Sequence, residues 1–323
     1  MNEPLILTFD CGTQSIRCTL VNKKGEIIGM ATQRCKPYFS LKRGYAEQYG
    51  EVYEQAICGV SQKLKETHGR YWDNIIAVTT TSVRDTCVCL DKDGKPVRPI
   101  IMWLDQREAA FDYKQVPAFY RFLFRLVGMT ETAKMQGKLT MSNWIRENEP
   151  ENWAKTYKYV TISGYFNHMM TGKFIDSKAC QIGHIPYHYK KRRWKTKRDM
   201  QYRIFNVEPE KLCDLVEPGE ILGYITKEFS EKSGIKEGLP LIATGADKGC
   251  EALGCGVVSP DTVSISFGTQ STVQFVTEKY VTPEPFLPSY TAVMPNQYNP
   301  EIQIYRGYWM VSWFIEEFAK YEV

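Results

Sequence analysis

Two short polar turns, each placed between apolar strand-like runs, have residue types that could bind phosphate. Gly12-Thr13-Gln14-Ser15 lies between residues 5–9 and 16–21, and the same tetrapeptide recurs as Gly268-Thr269-Gln270-Ser271. Glycine lets the backbone approach an anion closely, and the amide N–H groups and hydroxyls of such a turn attract phosphate oxygens. The repeated tetrapeptide in a repeated context predicts two structurally similar halves that face each other across a cleft.

Two charged side chains flank the first turn and could assist phosphoryl transfer. Asp10 precedes the turn, where a carboxylate suits Mg²⁺ held through water. Arg17 follows the turn and can neutralise charge on a transferring phosphoryl group. A hairpin with a polar turn would explain the same residues without any chemistry, so the interpretation depends on the rest of the chain.

The elements that position the first turn are predicted to be strands. Residues 5–9 and 16–21 are rich in strand formers, and residues 26–30 follow as a third strand after the turn signal Asn22-Lys23-Lys24-Gly25. Two strands joined so closely form a hairpin, which excludes the strand–helix–strand unit of a Rossmann domain.

The remaining elements predict an α/β protein. Helical spacing at residues 51–67 precedes a strand at residues 74–81, and residues 109–167 are mostly helical in character. Within that last region, helices are expected at residues 120–127 and 140–147. Further strands are predicted at residues 87–90, 98–103, 239–244 and 263–267.

Composition and charge narrow the class of protein. The chain has 323 residues, 43% of them hydrophobic, and that length exceeds what one hydrophobic core usually supports. The net charge of +4 does not favour a nucleic-acid partner, and the basic run at residues 190–198 is typical of a solvated surface. Ten scattered cysteines without metal-ligand spacing favour reduced thiols and a cytoplasmic protein. Without a signal peptide or a long apolar run, no membrane partner is expected.

The order of several motifs resembles the FGGY family of carbohydrate kinases, which includes glycerol kinase, xylulokinase and ribulokinase. Residues 10–17 are similar to the first phosphate motif of the family, and residues 267–271 are similar to the second. Gly245-Ala246-Asp247, followed by Gly254-Cys255-Gly256, resembles the catalytic aspartate motif. Each motif is weak alone, but their order and spacing along the whole chain are specific. The other matching segments are Val83-Arg84-Asp85-Thr86, residues 91–96, residues 101–107 and residues 165–176.

The resemblance implies an α/β fold of the actin-like ATPase (ribonuclease H-like) type, with two domains and a cleft. Residues 1–253 would form the amino-terminal domain, which holds the acceptor site, the first phosphate motif and the catalytic aspartate. Residues 254–323 would begin the nucleotide-binding carboxyl-terminal domain. Relatives continue well beyond Val323 with a glycine-rich adenine-binding segment, so the second domain is expected to be incomplete and this chain alone to phosphorylate little.

The same resemblance implies direct phosphoryl transfer from ATP, with Mg²⁺, to a hydroxyl of a small sugar or polyol. Asp247 would be the general base, and Asp10 and Asp247 would hold the metal. The first turn and Arg17 would bind the phosphates together with Gly268 and Thr269. The alternative for Asp247 is a carboxylate that caps the helix after it.

Arg84 and Asp85 resemble the acceptor-binding pair of the glycerol kinase branch. Arginine donates hydrogen bonds and aspartate accepts them, so a vicinal diol satisfies both side chains. An analogue that lacks one hydroxyl would leave a buried partner unpaired and would be rejected. The alternative is a local surface ion pair.

Four flanking residues would complete the acceptor site or support it. Trp103 would form an apolar wall, although an ordinary core aromatic is the alternative. Lys248 stands where relatives often have glutamine or asparagine, which indicates an atypical or acidic acceptor. Asp105 and Arg107 either belong to the site or support it from behind.

Two other classes of function remain open from the sequence. A regulatory relative that binds a sugar or polyol without phosphorylating it would not need Asp10, Asp247 and both turns. An actin-like ATPase of the chaperone or filament type would not be expected to carry Arg84 and Asp85. The sequence leaves homo-oligomerisation and the identity of the acceptor open. The central expectation is that Asp247 faces both turns across a shared hollow.

Overall fold

A computed structural model describes residues 3–267, 271–282, 287–304, 307 and 309–319. The chain divides into two compact units. The first contains Met1–His188 and Arg192–Asp247, and the second contains Tyr189–Lys191 and Lys248–Val323. This division lies shortly before the domain boundary that the sequence predicts between residues 253 and 254.

The first unit contains fourteen strands among its described residues. They are β1 (Leu5–Cys11), β2 (Ser15–Asn22), β3 (Ile27–Arg34), β4 (Glu47–Gln48), β5 (Ile75–Ser82), β6 (Cys87–Leu90), β7 (Ile100–Ile101), β8 (Lys158–Thr161), β9 (Ile175–Ser177), β10 (Tyr187–His188), β11 (Arg193–Trp194), β12 (Asp214–Val216), β13 (Ile221–Tyr224) and β14 (Pro240–Ile242).

Eight α-helices accompany these strands in the described part of the first unit. They are α1 (Gly50–His68), α2 (Ala118–Leu126), α3 (Thr130–Leu139), α4 (Met141–Asn148), α5 (Pro150–Lys155), α6 (Ile162–Thr171), α7 (Tyr202–Phe205) and α8 (Lys227–Ser233). Short 3₁₀ helices occupy Gly69–Asn74, Tyr113–Gln115, Lys178–Cys180 and Pro209–Lys211.

A six-stranded sheet with the order β13-β14-β5-β1-β2-β3 organises the first unit. The pairs β1–β2 and β2–β3 are antiparallel, as the predicted hairpin requires, whereas β5 runs parallel to both β1 and β14. Alternate residues of β1 are buried, which is the pattern of a strand with one face on the core. Helix α1 packs against β2 and β3, and its buried side chains join the same core.

Two predicted elements differ from the structure for identifiable reasons. The third strand was expected at residues 26–30 but runs from Ile27 to Arg34. Glu26 belongs to the preceding turn, because its backbone N–H donates to Asn22 Oδ1 over 3.0 Å, and the strand continues because Arg34 pairs with Ser15. The strand expected at residues 98–103 is only Ile100–Ile101. The mostly helical region from residue 109 is confirmed, but β8 interrupts it.

The second unit contains a small antiparallel sheet among its described residues. Helix α9 (Asp247–Gly254) begins at the last residue of the first unit. The other elements are β15 (Val263–Phe267), β16 (Ser271–Phe275), β17 (Tyr290–Thr291), β18 (Tyr298–Asn299), β19 (Glu301–Ile304), α10 (Trp309–Phe318) and the 3₁₀ helix Tyr189–Lys191. The sheet has the order β15-β16-β19. Among the residues that the structure describes, no helix has both the length and the hydropathy for a membrane crossing.

Candidate active site

The first polar turn joins β1 to β2 and is held by backbone hydrogen bonds. Gly12 N donates to Ser15 O over 3.0 Å, and Cys35 N donates to Gln14 O over 2.9 Å. A Cβ atom added at Gly12 would lie 3.2 Å from the Ser15 carbonyl oxygen, so this tight turn favours glycine. Gln14 is exposed and Thr13 is half-buried, so the residues predicted to bind phosphate are accessible to solvent.

Asp10 and Arg17 lie opposite each other in the β1–β2 hairpin. Arg17 Nη1 donates to Asp10 Oδ2 over 2.8 Å, and the side chains are 52% and 42% exposed, respectively. An ion pair this open to water contributes little to stability. Both charges can therefore turn to a ligand without a large loss of folding free energy.

Three strands of the central sheet end at the same edge. Because β5 is parallel to both β1 and β14, their carboxyl ends lie on one side of the sheet. The first turn follows β1, Arg84 follows β5, and Asp247 follows β14. This edge is where open α/β sheets place their ligands. The topology therefore brings together three motifs that are far apart in the sequence.

Arg84 and Asp247 contact each other at this edge. Arg84 Nε lies 3.7 Å from Asp247 Oδ1, and the side chains are 15% and 37% exposed, respectively. The chain before Asp247 is fixed, because Thr81 Oγ1 donates to Gly245 O over 2.9 Å and Ala246 N donates to Ala179 O. Asp247 is thus a partly exposed carboxylate beside a cation, at the first residue of α9.

Asp85 is bound by a histidine that the sequence did not single out. His184 N donates to Asp85 Oδ1, and His184 Nδ1 lies against Asp85 Oδ2, both over 2.8 Å. Burial alone would raise the pKa of Asp85, but the charge and hydrogen bonds of His184, with the Arg84 charge, lower it overall. Burial alone would lower the pKa of His184, but Asp85 raises it overall. The two side chains therefore favour the charged pair.

Trp103 lies beside the first turn. Its Nε1 donates to Thr13 Oγ1 over 3.0 Å, and its backbone N–H donates to Thr86 Oγ1 over 3.1 Å. The side chain is partly exposed, with 42% of the residue accessible. Trp103 therefore links the turn predicted to bind phosphate to the segment that carries Arg84 and Asp85.

Asp105, Arg107 and Glu47 form a buried network behind this segment. We call these three residues the rear network. Arg107 donates to both oxygens of Asp105 over 2.7 Å, and its Nη1 lies 3.0 Å from Glu47 Oε1. The Asp105 and Arg107 side chains are each 1% exposed. The guanidinium also packs on the Tyr45 and Trp144 rings, at 3.8 and 4.5 Å from their centroids. Of the two roles left open by the sequence, this placement favours support from behind.

Asp176 anchors the loop that carries His184. The residue is fully buried, and its carboxylate accepts from Thr161, Ser163, Asn167 and Gln181 at 2.6 to 2.9 Å. Burial raises its pKa, although these donors oppose the shift. A carboxylate with so many donors fixes the start of the loop 177–184.

The second unit carries the remaining predicted residues. Lys248 Nζ donates to Glu251 Oε2 over 2.6 Å and to Ser266 Oγ over 3.2 Å. Phe267 and Ser271 are paired across the β15–β16 hairpin, as the repeat predicted. Gly268 and Thr269 lie outside the described residues. No cluster of three or more metal-ligating side chains occurs in the described ranges.

Sequence reasoning missed Gly183 and His184. They lie 98 and 99 residues after Asp85 and belong to no recognised motif. The available signal was a glycine–histidine pair in a loop directly after the buried strand that contains Asp176.

Comparison with known proteins identifies the relatives of this chain. The family model "FGGY family of carbohydrate kinases, N-terminal domain" matches residues 5–254. A xylulose kinase of Lactococcus lactis is 26% identical over 320 residues, covering 98% of this chain but 62% of its own length. This chain therefore spans less than two thirds of that relative.

Solved structures share the fold. A xylulose kinase from Rhodospirillum rubrum superimposes with a TM-score of 0.83 at 19% identity, over 98% of this chain and 64% of that one. A Plasmodium falciparum glycerol kinase with ADP gives a TM-score of 0.78 at 17% identity, over 97% of this chain and 63% of that one. The predicted α/β fold of the actin-like ATPase type is thereby confirmed.

Proposed function

Because the chain belongs to the FGGY family of carbohydrate kinases, we propose that the protein transfers a phosphoryl group from ATP to a hydroxyl of a small sugar or polyol. The observation that carries this proposal is Asp247, a partly exposed carboxylate 3.7 Å from Arg84 at the sheet edge where the first turn also lies. A carboxylate placed there can accept a proton, and a nearby cation can hold an oxygen of the acceptor.

In the proposed reaction, the acceptor hydroxyl attacks the terminal phosphorus of ATP. A new O–P bond forms, the bond between that phosphorus and the ADP oxygen breaks, and the hydroxyl proton passes to the Asp247 carboxylate. Arg84 stabilises that carboxylate as an anion, since an adjacent positive charge favours the ionised form. Most of the remaining acceleration comes from in-line positioning and charge neutralisation.

The acceptor would be held by residues around Arg84. Arg84 donates to one hydroxyl and Asp85 accepts from its neighbour, and Trp103 covers the carbon-bound hydrogens. Lys248, at the start of α9, would contact an acceptor oxygen. The relatives named above act on xylulose and glycerol according to their names. We therefore propose a ketose or linear polyol of three to five carbons as the acceptor, on the order of the size of those two compounds.

The phosphates of ATP would lie against the first turn. Gly12 and the half-buried hydroxyl-bearing residues Thr13 and Ser15 would provide the backbone N–H groups and hydroxyls that phosphate prefers. Arg17 would leave Asp10 and bind a phosphate oxygen, because its pairing with Asp10 is open to solvent. Gly268 and Thr269 would bind phosphate in the same way.

Asp10 and Asp247 fit a magnesium ion that arrives with ATP. Mg²⁺ usually keeps several waters and takes one or two protein carboxylates plus substrate phosphates, so a dense cluster of ligands is not needed. Both carboxylates are at least 37% exposed, so such an ion could reach them from solvent. When bound, Mg²⁺ supplies neutralisation of phosphate charge. The side chains would hold it through one oxygen each or through water.

A coupled assay of ADP release tests the proposed function. The full-length protein is incubated with Mg·ATP and with xylulose, glycerol, gluconate or no acceptor, and the phosphorylated product is identified by mass. We expect acceptor-dependent ADP release with one of these compounds. Calorimetry with the same compounds distinguishes a binding protein from a kinase. Tight binding of a sugar or polyol without any turnover would reject the kinase and support the regulatory alternative.

A further inference from the structure

The loop that carries His184 makes three polar contacts with Asp85. Asp85 N donates to Ile182 O over 3.0 Å, and the two carboxylate oxygens accept from His184 N and Nδ1 over 2.8 Å each. The loop itself is fixed at its start by buried Asp176. Asp85 is therefore held through both its backbone and its side chain by one loop.

The backbone has a positive φ on both sides of this contact, which is unfavourable at Asp85 and requires glycine at position 183. Asp85 has φ of 52°, a left-handed conformation uncommon for a residue with a side chain. Gly183 has φ of 137°, and a Cβ atom added there would lie 2.3 Å from Asp85 Oδ1. Strained conformations of this kind persist where the surroundings enforce them, and they cluster at functional sites.

The Asp85 carboxylate can accept further hydrogen bonds from a ligand. A carboxylate offers about four lone-pair positions, and His184 occupies two of them. The Asp85 side chain remains 37% exposed, and its neighbour Arg84 lies 3.7 Å from Asp247. Asp85 is thus an ionised hydrogen-bond acceptor with a fixed direction, next to the proposed general base.

We infer that His184 is the positioning residue of the acceptor site, holding Asp85 so that it accepts a hydrogen bond from one particular hydroxyl of the acceptor. This inference rests on the proposed function. An acceptor that lacks that hydroxyl leaves the fixed carboxylate unpaired, whereas a carboxylate free to rotate would turn to water. By fixing the Asp85 carboxylate, His184 therefore lets the site discriminate the acceptor from its deoxy analogues.

Two substitutions separate positioning from simple packing. His184→Leu removes the side-chain donor but keeps the backbone N–H donor. His184→Asn restores a side-chain N–H close to the position of Nδ1. His188 provides the matched control, because its ring also faces a carboxylate, with Nε2 3.9 Å from Asp199 Oδ1, and it is 25% exposed against 26% for His184.

The experiment measures kcat and KM of the full-length protein for the best acceptor of xylulose, glycerol and gluconate and for each of its singly deoxygenated analogues. For His184→Leu we expect KM for the acceptor to rise about 10- to 100-fold, as for a lost hydrogen bond to a charged group. We also expect the ratio of kcat/KM for the acceptor to kcat/KM for one deoxy analogue to fall by a similar factor in this variant. His184→Asn should recover most of both effects, and His188→Leu should change neither.

Nitrogen NMR of the histidine rings gives a readout that does not need turnover. We expect His184 Nδ1 to carry a proton and to show the downfield proton shift of a bond to a carboxylate, which Asp85→Asn should abolish. An unprotonated Nδ1 would overturn the inference, as would an unchanged deoxy preference in His184→Leu. If wild type phosphorylates none of the three compounds, the proposed function fails, and the NMR result then decides whether His184 holds Asp85.

Discussion

Two of the arginine–carboxylate groups in the first unit have the same chemistry but opposite settings. In the rear network, Arg107 is 1% exposed, donates to both oxygens of Asp105 and packs on two aromatic rings. At the sheet edge, Arg84 is 15% exposed and approaches Asp247 only to 3.7 Å. One group is fully buried with short hydrogen bonds, and the other is a longer contact whose carboxylate is 37% exposed.

This difference in burial predicts which group supports folding and which group supports turnover. Two buried charges are tolerated only when their partners are complete, so removing one member of the rear network should affect folding. A partly exposed pair at a longer distance contributes less to folding than a buried network, so removing a member of the edge pair should affect turnover more than folding. The predictions below test this division, beginning with the largest expected effect.

Asp247→Asn should remove most of the activity and leave the fold intact. The amide cannot accept the hydroxyl proton, and a general base contributes about 10²–10⁴-fold, so kcat should fall by that factor. The free energy of unfolding in urea should change by less than about 1 kcal/mol, because the carboxylate is 37% exposed. Turnover within about twofold of wild type would remove Asp247 from the proposed mechanism.

Arg107→Met should have the opposite profile. It leaves Asp105 buried without its cation, while Glu47 keeps its contact with Arg98, and we expect the unpaired Asp105 to cost about 3–5 kcal/mol of unfolding free energy. Arg84→Met is the control at the edge, and we expect a smaller loss from it, about 1–2 kcal/mol, because its partner Asp247 is 37% exposed and can be hydrated. Equal losses in urea denaturation would show that the two groups do not differ as described.

Gly183→Ala should damage the edge by displacing Asp85. The added Cβ would lie 2.3 Å from Asp85 Oδ1, and alanine also disfavours a φ of 137°. Gly219→Ala is a matched control, since Gly219 has φ of 89° and no atom within 4 Å of the added Cβ. We expect about 1–3 kcal/mol of destabilisation from the first substitution, and only the backbone part from the second. A raised KM for the acceptor in Gly219→Ala would contradict this assignment.

The shifted pKa values of Asp85 and His184 predict that their pairing stabilises the fold over a limited pH range. The lowered pKa of Asp85 gives stability that is present above its unfolded value near 4 and lost as pH falls through the folded value. The raised pKa of His184 gives stability that is present below about 6.5 and lost as pH rises through the folded value. Urea midpoints of wild type and His184→Asn should therefore differ most between about pH 4 and 6.5. A difference that stays constant up to pH 9 would exclude the charged pair.

Local patterns were sufficient to predict the elements that carry the site. The β1–β2 hairpin and the β15–β16 hairpin were both predicted from apolar runs around a polar turn, because hairpins are formed by neighbours in sequence. The strand at residues 98–103 is reduced to Ile100–Ile101 in the structure. Its length depends on the partner strands β4 and β6, which local sequence does not specify.

Local sequence patterns could not predict which residues of the site contact each other. The sequence predicted that Arg84 and Asp85 bind one acceptor together, which stays a prediction, but it did not indicate the contacts that the structure shows between Arg84 and Asp247 and between Asp85 and His184. These partners are separated by long stretches of chain. Arg84 meets Asp247 because β5 and β14 are parallel and end at one edge, whereas Asp85 meets His184 through the loop that follows β9. Residue type and motif order could indicate which residues belong to the site, and only the three-dimensional structure shows which ones touch.

The smallest expected effect concerns Trp103, the residue that joins the edge to the first turn. Trp103→Phe and Thr13→Val each remove one partner of the 3.0 Å hydrogen bond between Nε1 and Oγ1. Because the indole is 42% exposed, water can replace either partner, so each change should cost about 0.5–1 kcal/mol. The double mutant should cost little more than either single mutant, since both remove the same bond. Trp72→Phe is the buried control: its Nε1 donates to Gly234 O over 2.7 Å at 7% exposure, and its loss should cost more. Strictly additive losses for Trp103 and Thr13 would mean that the bond does not couple the acceptor segment to the turn.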